Sequence, residues 1–185
     1  MTTASPAPVV RTVADQTQGF GVWRGFLAAA HRDGRQPWTV ALDVADVPAP
    51  PDVAERMGVP DGATVLRRTR LQGHLGDDGG EIPILLSTAW IDAAVADQVP
   101  VLRQPPGVFV GVRAELEQAG YLLRYKETVT ARLPSERERE LLGLGGYILA
   151  VLDLWRTCAD QYGNVVDVTR VVANPAYVTL EFVYP

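Results

Sequence analysis

The sequence predicts an α+β fold, one antiparallel sheet of about six strands with flanking helices. Three observations carry that expectation. Alternating apolar and polar runs of strand length recur along the chain, their connections are short, and short stretches with helical spacing stand between them. A chain of 185 residues is long enough to bury one real core. Its 47% hydrophobic and 21% charged residues are ordinary for a soluble globular domain.

Residues 1–18, rich in Ser, Pro and Ala at the start, read as a flexible leader ahead of a folded domain spanning 19–185. From Gly21 to Asp33, Val22, Trp23, Phe26, Leu27 and Ala30 recur at helical spacing, and Gly34 supplies a stop. Trp38 to Val47 alternates as a strand, which puts Trp38, Val40, Leu42 and Val44 on one face. Pro51 and Asp52 open a short helix that Gly58 ends. Ala63 to Leu75 and Glu81 to Ile91 then form a hairpin over Gly76–Gly80.

A proline-rich link (Pro100, Pro105, Pro106) leads to a helix from Val108 to Ala119, and Leu122 to Leu133 reads as a strand. Ser135 with Glu138 makes a capping box for a helix ending near Leu144. Strands at Tyr147–Cys158, Val165–Val172 and Tyr177–Tyr184 follow, the first two joined by a turn at Gln161–Asn164. The pattern implies a sheet covered mainly on one side.

Composition excludes several classes of function. Arg, Asp or Gly interrupts every apolar run, so no membrane span is expected, and MTTASPAPVV has no basic segment ahead of an apolar core. The single cysteine, Cys158, excludes an internal disulfide and fits a reducing, cytoplasmic setting; its strand position reads as core. A net charge of −5, interspersed charges and a lone lysine, Lys126, argue against nucleic-acid binding by this chain. With one Cys and two separated histidines, His31 and His74, no metal is expected, and no cofactor motif is present. His74 borders a polar loop and is expected in solvent.

The hairpin holds the most suggestive chemistry. Arg68 and Arg70 lie two apart and share one strand face, where two guanidinium groups repel unless an anion or carboxylate sits between them. The pair is a candidate anion clamp; a solvated basic strand edge is the other reading.

The order of segments resembles a family. Ala54-Glu-Arg-Met-Gly-Val59, Pro60-Asp-Gly62, Val65-Leu-Arg-Arg-Thr-Arg-Leu71 and Ile82-Pro-Ile84 resemble the UTRA domain, the small-molecule-sensing half of GntR-type, HutC-subfamily bacterial transcription regulators. Glu127-Thr-Val-Thr-Ala131, Glu140-Leu-Leu-Gly-Leu144, Val151-Leu-Asp-Leu-Trp-Arg-Thr157 and Asp160-Gln-Tyr-Gly163 extend the resemblance over most of the chain. It implies a chorismate lyase-like sheet. It also implies a pocket between sheet and N-terminal helix, with anion contacts from Arg68, Arg70 and the turn around Arg24-Gly25-Phe26. A homodimer through exposed sheet edges is a further implication.

Departures from the family pattern bear on the ligand. Where sugar-sensing members carry Glu-x-Ser-Tyr, this chain has Ser87, Ala89 and Trp90; a usual Glu is Asp167 and a usual Tyr is Ala173. Such a lining fits a ligand larger and less polar than an amino-sugar phosphate, with Arg68, Arg70, Gly25, Ser87, Trp90, Glu127 and Asp167 as candidate contacts. The same positions read equally as core.

No basic recognition helix precedes the first sheet strand, so the expected function is effector binding without a DNA-binding half of its own. The alternative is a free-standing lyase or cyclase acting on a natural-product or acidic substrate, with Glu127, Tyr125 and Asp167 as acid–base candidates.

Overall fold

The computed structural model describes residues 9–12, 26–105 and 111–181. In chain order the elements begin with β1 (Val9–Thr12), α1 (Phe26–Arg32), β2 (Pro37–Pro48) and α2 (Pro51–Met57). The hairpin strands β3 (Thr64–Leu75) and β4 (Glu81–Asp92) follow, then α3 (Ala93–Gln98), a 3-10 turn at Pro100–Arg103 and α4 (Val112–Gln118). The chain continues through β5 (Arg124–Arg132), α5 (Glu136–Leu141), β6 (Val151–Ala159), β7 (Val165–Ala173) and β8 (Val178–Glu181).

Local chemistry sets the shorter elements. Pro51 occupies the first turn of α2, where its missing N–H costs nothing, and Gly58 ends that helix at φ 68°, a conformation that suits glycine. Ser135 and Glu138 cap α5 reciprocally, the side chain of each accepting from the other's backbone N–H, as the sequence pattern anticipates. The hairpin turns at Gly76–Gly80, where the Gly80 N–H donates to the Asp78 carboxylate at 2.9 Å.

Six strands form one sheet in the order β2-β3-β4-β7-β6-β5, every neighbouring pair antiparallel. This is the α+β architecture expected. Beside it β1 pairs in parallel with β8. The sequence pattern puts Val9–Thr12 in a flexible leader; in the structure this segment, whose valines and threonine suit an extended backbone, pairs with Val178–Glu181. The remaining leader residues, 1–8 and 13–18, lie outside the described residues.

Both faces of the sheet are covered, where cover mainly on one side was expected. On the front face Phe26, Ala29 and Ala30 of α1 pack with Leu85, Leu154 and Ala173. At the other end of that face Val95, Ala96 and Val99 join Leu102 and Leu116 against Leu66 and Ile91. On the back face Val53, Ala54 and Met57 of α2 pack against Val65, Trp90 and Val168, and Leu142 seals Val151 and Val172.

Several boundaries differ from the sequence pattern for physical reasons. A bulge between Ala41 and Asp43 moves Val44 to the front face, away from Trp38 and Val40. His74, expected in solvent, is fully buried beside a second bulge at Gln72/Gly73; its Nδ1 donates to the Leu75 carbonyl at 2.9 Å. The strand expected from Tyr147 starts at Val151, and Tyr147 and Leu149 are 85% and 69% exposed. Its neighbour β5 stops at Arg132, just before Leu133-Pro134, so residues ahead of Val151 have no strand to pair with. The helix expected from Val108 begins at Val112, with 106–110 outside the described residues.

Candidate functional site

Register alone assembles a line of side chains across the front face. Arg68 stands opposite Ala89, Ala89 opposite Thr169, Thr169 opposite Arg156, and Arg156 opposite Glu127. One row to one side run Asp167, Cys158 and Tyr125; one row to the other run Arg70, Ser87, Val171 and Leu154. Opposite residues of antiparallel strands share a face, so four strands bring Arg68, Arg70, Ser87, Tyr125, Glu127 and Asp167 to one surface, with Arg156 joining them from β6. This polar band separates the two apolar clusters of the front face, the one under α1 and the one under α3 and α4.

The two arginines differ in their partners. Arg68 is buried, and its Nη1 donates to the backbone carbonyls of Leu102 and Gln104, the second at 2.7 Å. It therefore ties the 3-10 turn to the sheet. Burial first, then the Arg70 charge, pushes its pKa down to about 10. Arg70 is half-buried, and among the described residues it has no hydrogen-bond partner. Its guanidinium reaches the start of α4, with Nη1 4.0 Å from the point a Cβ on Gly111 would occupy. Burial lowers its pKa from the ordinary value, the Asp167 charge working against this shift and Arg156 with it.

Asp167 is buried, and the Thr169 hydroxyl donates to its two oxygens at 3.1 and 3.0 Å. Burial pushes its pKa up to about 6, in spite of that hydrogen bond and the Arg156 and Arg70 charges. Glu127 accepts from Arg156 Nη2 at 2.7 Å. The guanidinium groups of Arg113 and Arg156 lie 5.0 and 5.4 Å from the Tyr125 ring centre, and Arg113 donates to Glu117 at 3.1 Å. The band thus holds four guanidinium groups (Arg68, Arg70, Arg113, Arg156) against three carboxylates (Asp167, Glu117, Glu127).

Sequence reasoning missed Arg113, Glu117, Arg156 and Thr169. Arg156 and Thr169 were accessible in principle, because the turn at Gln161–Asn164 fixes the register of β6 on β7. Arg113 and Glu117 enter from a helix whose placement no strand pattern encodes.

Trp90 requires correction. As a β4 residue adjacent to Ala89 it points to the back face, where it packs with α2 and stacks on Trp155 at 6.0 Å between ring centres. Ala173 is core beneath α1. Gly25 and Arg24 lie outside the described residues, and of that turn only Phe26, buried on the front face, is described. Glu127 sits in an ion pair with Arg156 rather than in an apolar surround. Cys158 is buried and its thiol is pushed up to about 12, first by burial and then by the Asp167 charge, so it is not a poised nucleophile.

Among the described residues no group of His, Cys, Asp and Glu could hold a metal ion, and no helix is long and apolar enough to cross a membrane.

A six-stranded antiparallel sheet with helices on both faces and a half-buried, cation-rich band across one of them is the architecture set beside known proteins. Residues 32–178 match the UTRA domain family, and the chain belongs to that family. Solved structures agree. The chain is similar to PhnF from Mycobacterium smegmatis, with a TM-score of 0.76 and 23% identity over 96% of this chain and 72% of that one. Its match to the effector domain of the same protein has a TM-score of 0.72 and 25% identity, covering 92% of this chain and 98% of that one. A GntR-family transcriptional regulator from Bacillus cereus matches with a TM-score of 0.65 and 15% identity over 81% and 99% of the two chains. Comparison with curated proteins gives no match. The chain is a ligand-binding regulatory domain of the kind found in GntR-family regulators.

Proposed function

We propose that the front-face band is the effector site, and that an anionic group of the effector binds at Arg70. The observation that carries this reading is Arg70 itself, a half-buried guanidinium without a hydrogen-bond partner among the described residues. An anion there would take up its donor fork and offset the burial that now opposes its charge. Arg68 supports the site by fixing the Leu102–Gln104 backbone. Ser87 stands beside Arg70, while Asp167 and Glu127 form the acidic side of the band.

The effector is larger and less polar than a sugar phosphate. With Trp90 on the back face, support for this comes from Ala89 and Val171, which give the rows around Arg70 an apolar floor. We assign the HutC subfamily, a cytoplasmic setting and a homodimer on the same reading. The β2 edge, exposing Val40 and Leu42, is the apolar candidate for the dimer contact, and sedimentation at the monomer mass would remove that assignment.

Calorimetric titration of aromatic and aliphatic carboxylates and phosphate esters tests the site. Arg70→Ala should weaken binding of any ligand found by about 2–5 kcal/mol, the cost of removing one partner of a buried charge pair. Equal affinity in the variant would move the anion away from Arg70. Turnover of such a ligand, lost in Glu127→Gln, would favour the lyase or cyclase alternative.

A further inference from the structure

We propose that the open edge of β5, with the basic groove beside it on the back face, docks an acidic segment of a partner protein in extended conformation. Three features converge there. β5 is an outer strand of the six-stranded sheet, and its pairing with β6 runs from Arg124 to Arg132 without a register shift. The opposite edge, β2, is interrupted by its bulge. A straight edge presents a continuous row of N–H and C=O groups, the template on which an added strand forms.

The second feature is charge. A groove of about 510 Å³ runs along this edge, lined by Arg56, Arg124, Lys126, Thr128, Trp155 and Thr157 among others, and no lining residue carries a carboxylate. In a chain of net charge −5, three cations without an acidic neighbour in the lining are a local reversal of sign. Arg124 and Lys126 are two apart on β5 and point to the same face. An added strand has the same period, so carboxylates at alternate positions would meet both cations.

The third feature is the groove floor. Trp155 stacks on Trp90 and carries Arg56 over its ring at 4.3 Å, so the aromatic floor holds one of the groove's cations in place. A second copy of this chain is a poorer occupant. Symmetric antiparallel pairing of β5 centred on Thr128 would set Arg124 opposite the second copy's Arg132, and like charges directly opposite destabilise a strand pair. Lys126 on the edge acts in the same direction.

The test uses the full chain and a fluorescein-labelled peptide of alternating Thr and Glu, followed by fluorescence polarisation at low ionic strength. The peptide should bind saturably, and a Thr–Lys peptide should not. Methylating alternate backbone nitrogens, which removes the strand hydrogen bonds, should weaken binding by about tenfold or more. The double variant Arg124→Glu, Lys126→Glu should weaken it by about tenfold with an unchanged melting temperature, since both side chains are exposed. The Arg70→Ala variant should bind the peptide as wild type does, which separates this surface from the effector site. Undiminished binding by the double variant or by the methylated peptide would overturn the proposal. So would tighter binding of duplex DNA than of the peptide, or a wild-type dimer that the double variant dissociates.

Discussion

On the back face Arg170 and Arg132 both end on Asp153, with N–H···O distances of 2.7 to 2.8 Å, and Arg132 also grips both oxygens of Glu138 at 2.8 and 2.7 Å. On the front face Arg68 ends on backbone carbonyls, and Arg70 faces Asp167 without a hydrogen bond to it. Both faces set arginines beside a buried aspartate, Asp153 on the back and Asp167 on the front. The back face closes its charges into a network; the front face leaves donor capacity on Arg70 and a buried Asp167 carboxyl hydrogen-bonded by Thr169 and not by an arginine. Unspent donors of that kind cost stability, and such a cost is retained where a ligand is to supply the missing partner.

The largest expected effect tests the assignment of Trp90 to the back-face core. Trp90→Ala should lower stability by about 3–5 kcal/mol, the range for truncating a buried aromatic residue, and denaturant unfolding measures it. At temperatures where the variant remains folded, effector affinity should equal that of wild type. A variant of normal stability and weak binding would return the ring to the pocket.

Next comes the contrast between the two charge clusters. Asp153→Ala leaves Arg170 without its carboxylate and Arg132 with Glu138 alone, and should cost about 3 kcal/mol. Arg70→Ala should change stability by less than about 1 kcal/mol, because it removes a charge that nothing among the described residues hydrogen-bonds. Equal losses in the two variants would show that Arg70 is structural. Burial opposes ionisation of Asp153, but the hydrogen bonds from Arg170 and Arg132 hold its carboxyl below the ordinary value, so the stability it contributes disappears as the solution is acidified.

Asp167 gives an effect of opposite sign. Its folded pKa of about 6 lies above the ordinary 3.8, so between these values the folded protein binds more protons than the unfolded chain. Its contribution to stability therefore falls as pH rises from about 4 to about 6 and is flat above that. At about 1.4 kcal/mol per pKa unit the cost is at most about 3 kcal/mol. Asp167→Asn should be the more stable protein at pH 7 and lose its advantage below pH 4, as melting curves across that range would record. A difference independent of pH would mean that folding leaves the Asp167 carboxyl unshifted.

Much of the fold was legible because it rests on local rules. Pro51 and Gly58 bracket a helix, Ser135 and Glu138 cap another, and Gly76–Gly80 turns the central hairpin at the expected place. Period-two alternation likewise put Arg68 with Arg70 and Tyr125 with Glu127 on shared faces. Errors came where one residue of register reverses a side chain. Trp90 faces away from the pocket because its neighbour Ala89 occupies that face, and the bulges near Leu42 and Gly73 redirect Val44 and bury His74.

The sequence by itself determined the strand and helix segments, the hairpin and the pairing of the two arginines on one face, because each depends on residues close in the chain. Only the tertiary structure decided which residues those arginines meet. Arg156, Thr169, Glu127 and Asp167 reach the same band through strand pairings between distant segments, and Arg113 arrives on a helix packed over the sheet. Burial, and with it the perturbed ionisation of Asp167 and Arg70, follows from those long-range contacts.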